Sequence, residues 1–259
     1  MVPRLTVALV TDPISTGGAA GLPDADVFVF PELLDGGYAR LARERSPHQS
    51  LDGILRSFRR MSADRGCTVV AGSVAMDNGR TGMTNTALVF TRGRRIHRYD
   101  KIHLFRPCND HVFFRPGKSV RTFSFPCGGG RLKGGVVICY DLRFPELVRL
   151  LALQGLQVLF VPSRWPSSRD EAWRTLLKAR AIENQIFVVG CDARGEEGGF
   201  SYAFDPFGDE LLSSRDNPDA AVHRVELNLK RISEAHRRHR NVREAVILRS
   251  LARKIVARK

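Results

Sequence analysis

Short apolar runs alternate with stretches of helical periodicity along the 259-residue chain, the pattern of an α/β domain. Strands are expected at residues 5–10, 27–30, 68–75 and 86–90, and the last leads through Arg92-Gly93-Arg94 into residues 96–99 as a hairpin. Further strands are expected at residues 135–139, 158–161, 186–190, 201–204 and 210–213. Several of these runs are nearly continuous Val, Ile and Leu, so both of their faces should be covered. Helices fit between them. Residues 50–66 carry Leu51, Ile54, Leu55, Phe58 and Met61 in one apolar stripe. Residues 145–155 open on Pro145 and close on Gly155, the expected start and stop asymmetry. Residues 170–184 turn Trp173, Leu176, Leu177 and Ala181 inward. With no repeat or linker in sight, the simplest partition is one domain over residues 1–227 and a tail over 228–259.

Composition narrows the class. With 43% hydrophobic and 26% charged residues the chain reads as soluble and globular rather than disordered. Its apolar runs are far short of the ~20 residues a membrane span needs. The six-residue run at 5–10 lacks a cleavage-like site, so a secretory signal is not expected. Five widely spaced cysteines argue against a disulfide scaffold and for a reduced, cytoplasmic setting. The net charge of +14 raises the question of nucleic-acid binding. Residues 228–259 hold eleven Lys/Arg and two Glu, a net of +9, which leaves only +5 for residues 1–227. The basicity is mostly the tail's, and no aromatic residue is interleaved with it.

Three residues stand where an open sheet could use them chemically. Cys139 ends an apolar run and precedes Tyr140-Asp141-Leu142-Arg143-Phe144-Pro145-Glu146, so it is expected near a helix N-terminus that lowers its pKa and favours thiolate. The alternative is a small hydrophobe filling the core. Glu32 follows the run Val27-Phe28-Val29-Phe30-Pro31, where α/β sheets place ligand sites and burial suits a carboxylate to general-base work; a strand-end glutamate facing water is the alternative. Lys101, in Tyr99-Asp100-Lys101-Ile102-His103-Leu104-Phe105, is either a fixed inward charge for a developing oxyanion or a solvated lysine after a hairpin.

The segments FPELL, YDKIHLF and GGVVICYDLRFPEL occur in that order, and they closely resemble the three catalytic motifs of the nitrilase superfamily of carbon–nitrogen hydrolases. Further similarity runs through Asn85-Thr86, Trp165-Pro166, the ARAIENQ stretch and Asp205-Pro206-Phe207-Gly208, and so covers nearly the whole body. The resemblance implies a four-layer αββα sandwich and a homodimer. It makes Cys139 the nucleophile, Glu32 the general base and Lys101, with the Tyr140 backbone N–H, the stabiliser of the oxyanion. It implies no cofactor. Trp165 is then a wall of the substrate pocket. The expected reaction is hydrolysis of a small linear amide, such as a carboxylated ω-amide or a 2-oxo acid amide, through a cysteine thioester. Nitrile or carbamoyl hydrolysis is the alternative within the family, transfer to a nucleophile other than water is a third outcome, and a nucleic-acid or surface binder with a vestigial triad is the rival from another class.

Some features depart from the family pattern. Asp110 stands where relatives often carry a second glutamate and is shorter by about 1.5 Å, so it supports Lys101 only if its loop moves inward. Arg164 replaces a residue commonly neutral, and either recognises an acidic substrate group or sits on the surface. Residues 11–24 are too rich in Gly, Pro and small residues for the helix that relatives carry there. His97, His103, Cys108 and His111 match no common zinc spacing, so no metal is expected. Gly128-Gly129-Gly130 precedes a strand rather than a helix and is no phosphate cradle. In the tail, Val246, Ile247, Leu248, Leu251, Ala252, Ile255 and Val256 form a helical stripe among arginines, which is expected to dock on a dimer partner rather than on a membrane or nucleic acid.

Overall fold

The computed structural model describes residues 3–12, 21–46, 51–239, 241–242 and 244–245. Two six-stranded sheets face each other. The first runs in the order β12 (Val222–Asn228), β1 (Arg4–Val10), β2 (Val27–Val29), β3 (Thr68–Asp77), β4 (Met83–Thr91), β5 (Arg94–Asp100). The second runs β11 (Glu210–Ser213), β10 (Tyr202–Phe204), β9 (Phe187–Asp192), β8 (Val158–Ser163), β7 (Gly130–Val136), β6 (Phe123–Cys127). Each sheet has a parallel centre, β1-β2-β3 and β7-β8-β9, flanked by antiparallel strands. The parallel strands are covered on both faces, which is why they read as unbroken apolar runs.

Side-chain alternation assigns the layers. Leu5, Val7 and Leu9 of β1 join the large core that continues through the second sheet to Leu147, Val148 and Leu151 of α4 (Pro145–Leu153) and Trp173, Leu177 and Ala181 of α5 (Asp170–Asn184). Ala8 and Val10, on the opposite face, pack with Phe58 and Met61 of α2 (Leu51–Asp64). The order of layers is helix, sheet, sheet, helix, the expected αββα sandwich. A short α1 (Gly37–Glu44) and a one-turn α3 (Asp110–Phe113) cap the end where the candidate residues gather.

Strands β6 and β12 and helix α1 are not expected from the sequence, nor is the packing of α6 on the body. β6 and β12 are edge strands, and β12 buries only every second residue (His223, Val225, Leu227), so neither presents the apolar run used to recognise strands. Helix α1 opens on two glycines in left-handed conformations. The described start of the basic tail, α6 (Lys230–Arg238), packs on the body: Ile232 and Ala235 are buried, and Gln185 Nε2 donates to Ala235 O (2.7 Å) and His239 O (2.8 Å). The apolar stripe at 246–256 lies outside the described residues. So do residues 13–20 of the N-terminal segment, whose described flanks carry no α-helix.

Candidate active site

Five of the sequence-predicted chemical residues stand just beyond the carboxyl end of a strand, whereas Asp110 opens α3. Glu32 follows β2, Lys101 follows β5, Cys139 follows β7, and Arg164 and Trp165 follow β8. Parallel strands deliver their ends to one rim of the sandwich, so residues far apart in sequence converge there.

Glu32, Lys101 and Asp110 are wholly buried and joined. Lys101 Nζ donates to Glu32 Oε1 (2.8 Å), Asp110 Oδ2 (2.7 Å) and the Tyr38 hydroxyl (3.3 Å), which engages all three ammonium protons. Glu32 Oε1 also accepts from Asn85 Nδ2 (2.8 Å) and the Tyr38 hydroxyl (3.0 Å). Glu32 Oε2 accepts from the Arg164 backbone N–H (3.2 Å). Burial would lower the Lys101 pKa, but the Glu32 and Asp110 carboxylates outweigh it and hold the ammonium above its ordinary value. Tyr38 is pushed well above its ordinary value, first by burial and then by Glu32, so it stays a neutral hydroxyl.

The Asp110 loop brings its carboxylate within hydrogen-bond reach of Lys101. Residues 106–108 form a 3-10 turn, Asn109 adopts a left-handed conformation, and the Phe105 N–H donates to Asp110 Oδ2 (2.9 Å). The second oxygen, Oδ1, is buried without a partner among the described residues.

Cys139 sits at a strained turn with φ of 46°. Asp141 holds that turn: its Oδ2 accepts from the Tyr99 hydroxyl (2.7 Å) and Ile138 N–H (3.2 Å), and its Oδ1 accepts from the His103 N–H (2.8 Å). Arg180, from the ARAIENQ stretch, grips the far side by donating from Nη2 to Leu142 O (2.8 Å). The expected lowering of the thiol pKa needs correction. The segment after Cys139 is a five-residue 3-10 turn rather than the N-terminus of a long helix, and the side chain is buried. Burial, with Glu32 adding to it, raises the thiol well above its ordinary value despite the opposing pull of Lys101. The resting group is a thiol, and it needs a base.

The cleft above this constellation spans about 350 Å³ with the open solvent at its mouth included. Tyr38, Phe105, Tyr140 and Trp165 form aromatic walls, with Cys139 among the lining residues. Arg143 lies over the Trp165 ring (4.9 Å) and Arg169 over the Phe105 ring (5.4 Å) at the same cleft. Arg164 also lines it, but its guanidinium is occupied by Glu32 O (2.8 Å), Leu33 O (3.2 Å) and Glu197 (3.3 Å). Trp165 is held by its backbone N–H donating to Asp192 Oδ1 (2.8 Å). Burial pushes that Asp192 carboxyl well above the carboxylate range. His103 stacks on Phe144 at 3.5 Å and faces Asp141.

Tyr38, Asn85 and Glu197 were not singled out as site residues from the sequence. Their signals were weak: Tyr38 opens a helix too short to show a stripe, and Asn85 is a polar break near the start of a strand otherwise read as apolar.

Comparisons with known proteins bear on the family of the chain. The family model for carbon-nitrogen hydrolases matches residues 8–237. The chain is 34% identical over 220 residues to the omega-amidase YafV of Escherichia coli (strain K12), covering 83% of this chain and 82% of that protein. It is 32% identical over 215 residues to the 2-oxoglutaramate amidase of Bacillus subtilis (strain 168), covering 81% of each. The crystal structure of an amidase from Nesterenkonia sp. superposes with a TM-score of 0.74 at 25% identity, over 92% of this chain and 97% of that one. Fold, motif order and sequence similarity thus converge, and the chain belongs to the carbon-nitrogen hydrolase family.

Proposed function

We propose that this carbon–nitrogen hydrolase cleaves a short linear ω-amide bearing a carboxylate at its far end, through a thioester on Cys139. The observation that carries the substrate class is the pair Arg143 and Arg169, which line the cleft above Cys139 and have no carboxylate partner among the described residues. A guanidinium already stacked on an aromatic wall is poised to meet a substrate carboxylate. The amidases similar to this chain, one named for 2-oxoglutaramate, support the same reading.

The chemistry follows from the donor and acceptor count. Glu32 Oε1 already accepts three hydrogen bonds, whereas Oε2 accepts one, so Oε2 has the free capacity for a proton. Glu32 takes the thiol proton as Cys139 Sγ bonds to the amide carbon. The carbonyl oxygen becomes an oxyanion. Lys101 exchanges its long 3.3 Å contact to Tyr38 for that oxygen, and the Tyr140 backbone N–H provides a second donor. Glu32 returns the proton to the nitrogen, the C–N bond breaks and ammonia leaves. Water, deprotonated by Glu32, then attacks the thioester carbon; the C–S bond breaks, Glu32 returns the proton to Cys139 Sγ, and the product acid leaves and gives its own proton to solvent. Five free cysteines support a reducing, cytoplasmic setting, and the family resemblance supports a homodimer.

The test is ammonia release from a panel: 2-oxoglutaramate and glutaramate, their uncharged amide analogues of equal length, and the corresponding nitriles. The carboxylated amides are expected to exceed the uncharged ones in kcat/KM by at least tenfold, on the order of one charge-assisted contact. Arg143→Gln and Arg169→Gln should erase most of that difference. Equal use of charged and uncharged amides, unaltered in both variants, would remove the carboxylate from the proposal.

A further inference from the structure

The cleft's most buried charges are linked to a carboxylate outside the triad. Glu197 lies in the connection between β9 and β10, and its side chain is 30% exposed. Its Oε1 accepts the Ala39 N–H (2.8 Å), and its Oε2 accepts the Tyr38 N–H (3.1 Å) and Arg164 Nη1 (3.3 Å). Two N–H groups at the start of α1 are thereby satisfied by a side chain about 159 residues away in sequence. The approach needs glycine at position 37: a Cβ there would overlap Glu197 Oε2 and sit 3.0 Å from Arg164 Cζ.

Both groups that Glu197 holds bear on Glu32. Tyr38 donates its hydroxyl to Glu32 Oε1 (3.0 Å). Arg164 donates its backbone N–H to Oε2 (3.2 Å) and its Nε to Glu32 O (2.8 Å). Two of the four donors that orient the Glu32 carboxylate are therefore one bond away from Glu197. The guanidinium of Arg164 is spent on these protein partners, so it is tied to the base rather than offered to substrate.

We propose that Glu197 is a positioning residue for catalysis, which with Arg164 clamps the start of α1 and the end of β8 so that Glu32 is presented to the thiol in a single orientation. The proposal rests on the reading of Glu32 as the base for Cys139. Loss of the clamp leaves Arg143, Arg169 and the Phe105, Tyr140 and Trp165 walls of the cleft in place, so substrate binding should largely persist while proton transfer suffers. Misplacement of a catalytic group by about 1 Å costs on the order of 100-fold.

The experiment measures ammonia release from 2-oxoglutaramate and, independently of substrate, the rate of Cys139 alkylation by iodoacetamide followed by intact mass. Glu197→Ala is expected to lower kcat tenfold or more with KM changed by less than about threefold, and to slow alkylation in parallel. Glu197→Gln keeps acceptor oxygen for α1 and should restore most of both rates. The Arg164→Met and Glu197→Ala losses should coincide in the double variant rather than multiply. Should Glu197→Ala not fold, Arg164→Met cuts the same link from the other side, and the same kcat and alkylation readouts decide. A kcat within twofold of wild type with unchanged alkylation, or a loss carried by KM alone, overturns the clamp. Wild-type turnover by Cys139→Ala would instead overturn the thiol reading beneath it.

Discussion

Lys101 is a fully buried ammonium with two carboxylates and a hydroxyl around it, and its state depends on that ring of partners. Burial alone would favour the neutral amine; Glu32 and Asp110 reverse that preference. Asp110 is therefore more than a shortened substitute for a glutamate, because it bonds Lys101 at 2.7 Å and is itself fixed by the Phe105 N–H. Asp110→Asn preserves shape but removes one of the two charges. It is expected to lower kcat at least tenfold, by analogy with loss of one oxyanion-stabilising group, with little change in melting temperature. Full turnover on the true substrate would reject the supporting role. At this scale the motifs point to Glu32, Lys101, Cys139 and Asp110, and the structure gathers them at one end of the sandwich, with Glu32, Lys101 and Asp110 in direct contact. The sequence was a poor guide to Tyr38, Asn85 and Glu197, whose importance comes from contacts with residues tens to more than a hundred positions away. It also misjudged the Cys139 thiol, since local position suggested a helix end and burial beside Glu32 proved the larger influence.

Among the elements, β3 does more than fill the sheet. Its pairing with β4 shifts between Val70 and Ser73, and the irregularity lets β3 hold the segment carrying Glu32. Ser73 donates its N–H to Pro31 O (3.2 Å), its Oγ accepts from the Leu33 N–H (3.0 Å), and its carbonyl accepts from Leu34 N–H (2.9 Å). Gly72 makes the approach possible: its φ is 50°, and a Cβ would overlap Pro31 O. Gly72→Ala is expected to cost about 2–4 kcal/mol from backbone strain and overlap together, read as a lowered urea midpoint, with a loss of turnover because Glu32 is displaced. An unchanged midpoint would contradict this account of the bulge. The hairpin between β4 and β5 was legible from Arg92-Gly93, and both residues do adopt positive φ. Strand β12 was not legible, because an antiparallel edge that buries alternate residues among charges looks like polar chain to a search for apolar runs.

Over the whole molecule, the two parallel-centred sheets bring the strand ends of both halves to one rim, so the three motifs, widely separated in sequence, meet. The net charge of +14 has also acquired a structural context. Part of the basic tail belongs to the body: in α6, Arg231 pairs with Asp205 (2.5 Å) and lies over the Phe207 ring (4.3 Å), and Arg238 also faces that ring (5.1 Å). Charge count concealed this docking, since two buried residues, Ile232 and Ala235, are too few to stand out among so many arginines. Among the described residues no helix is long and apolar enough to cross a membrane. If the buried thiol is deprotonated by Glu32 while Lys101 holds the oxyanion, amide cleavage depends on Cys139. The most direct test is ammonia release from a carboxylated ω-amide by wild-type protein and Cys139→Ala at equal concentration. The wild type is expected to turn over and Cys139→Ala to lose at least about 1,000-fold; equal turnover by both would mean that Cys139 is not the nucleophile.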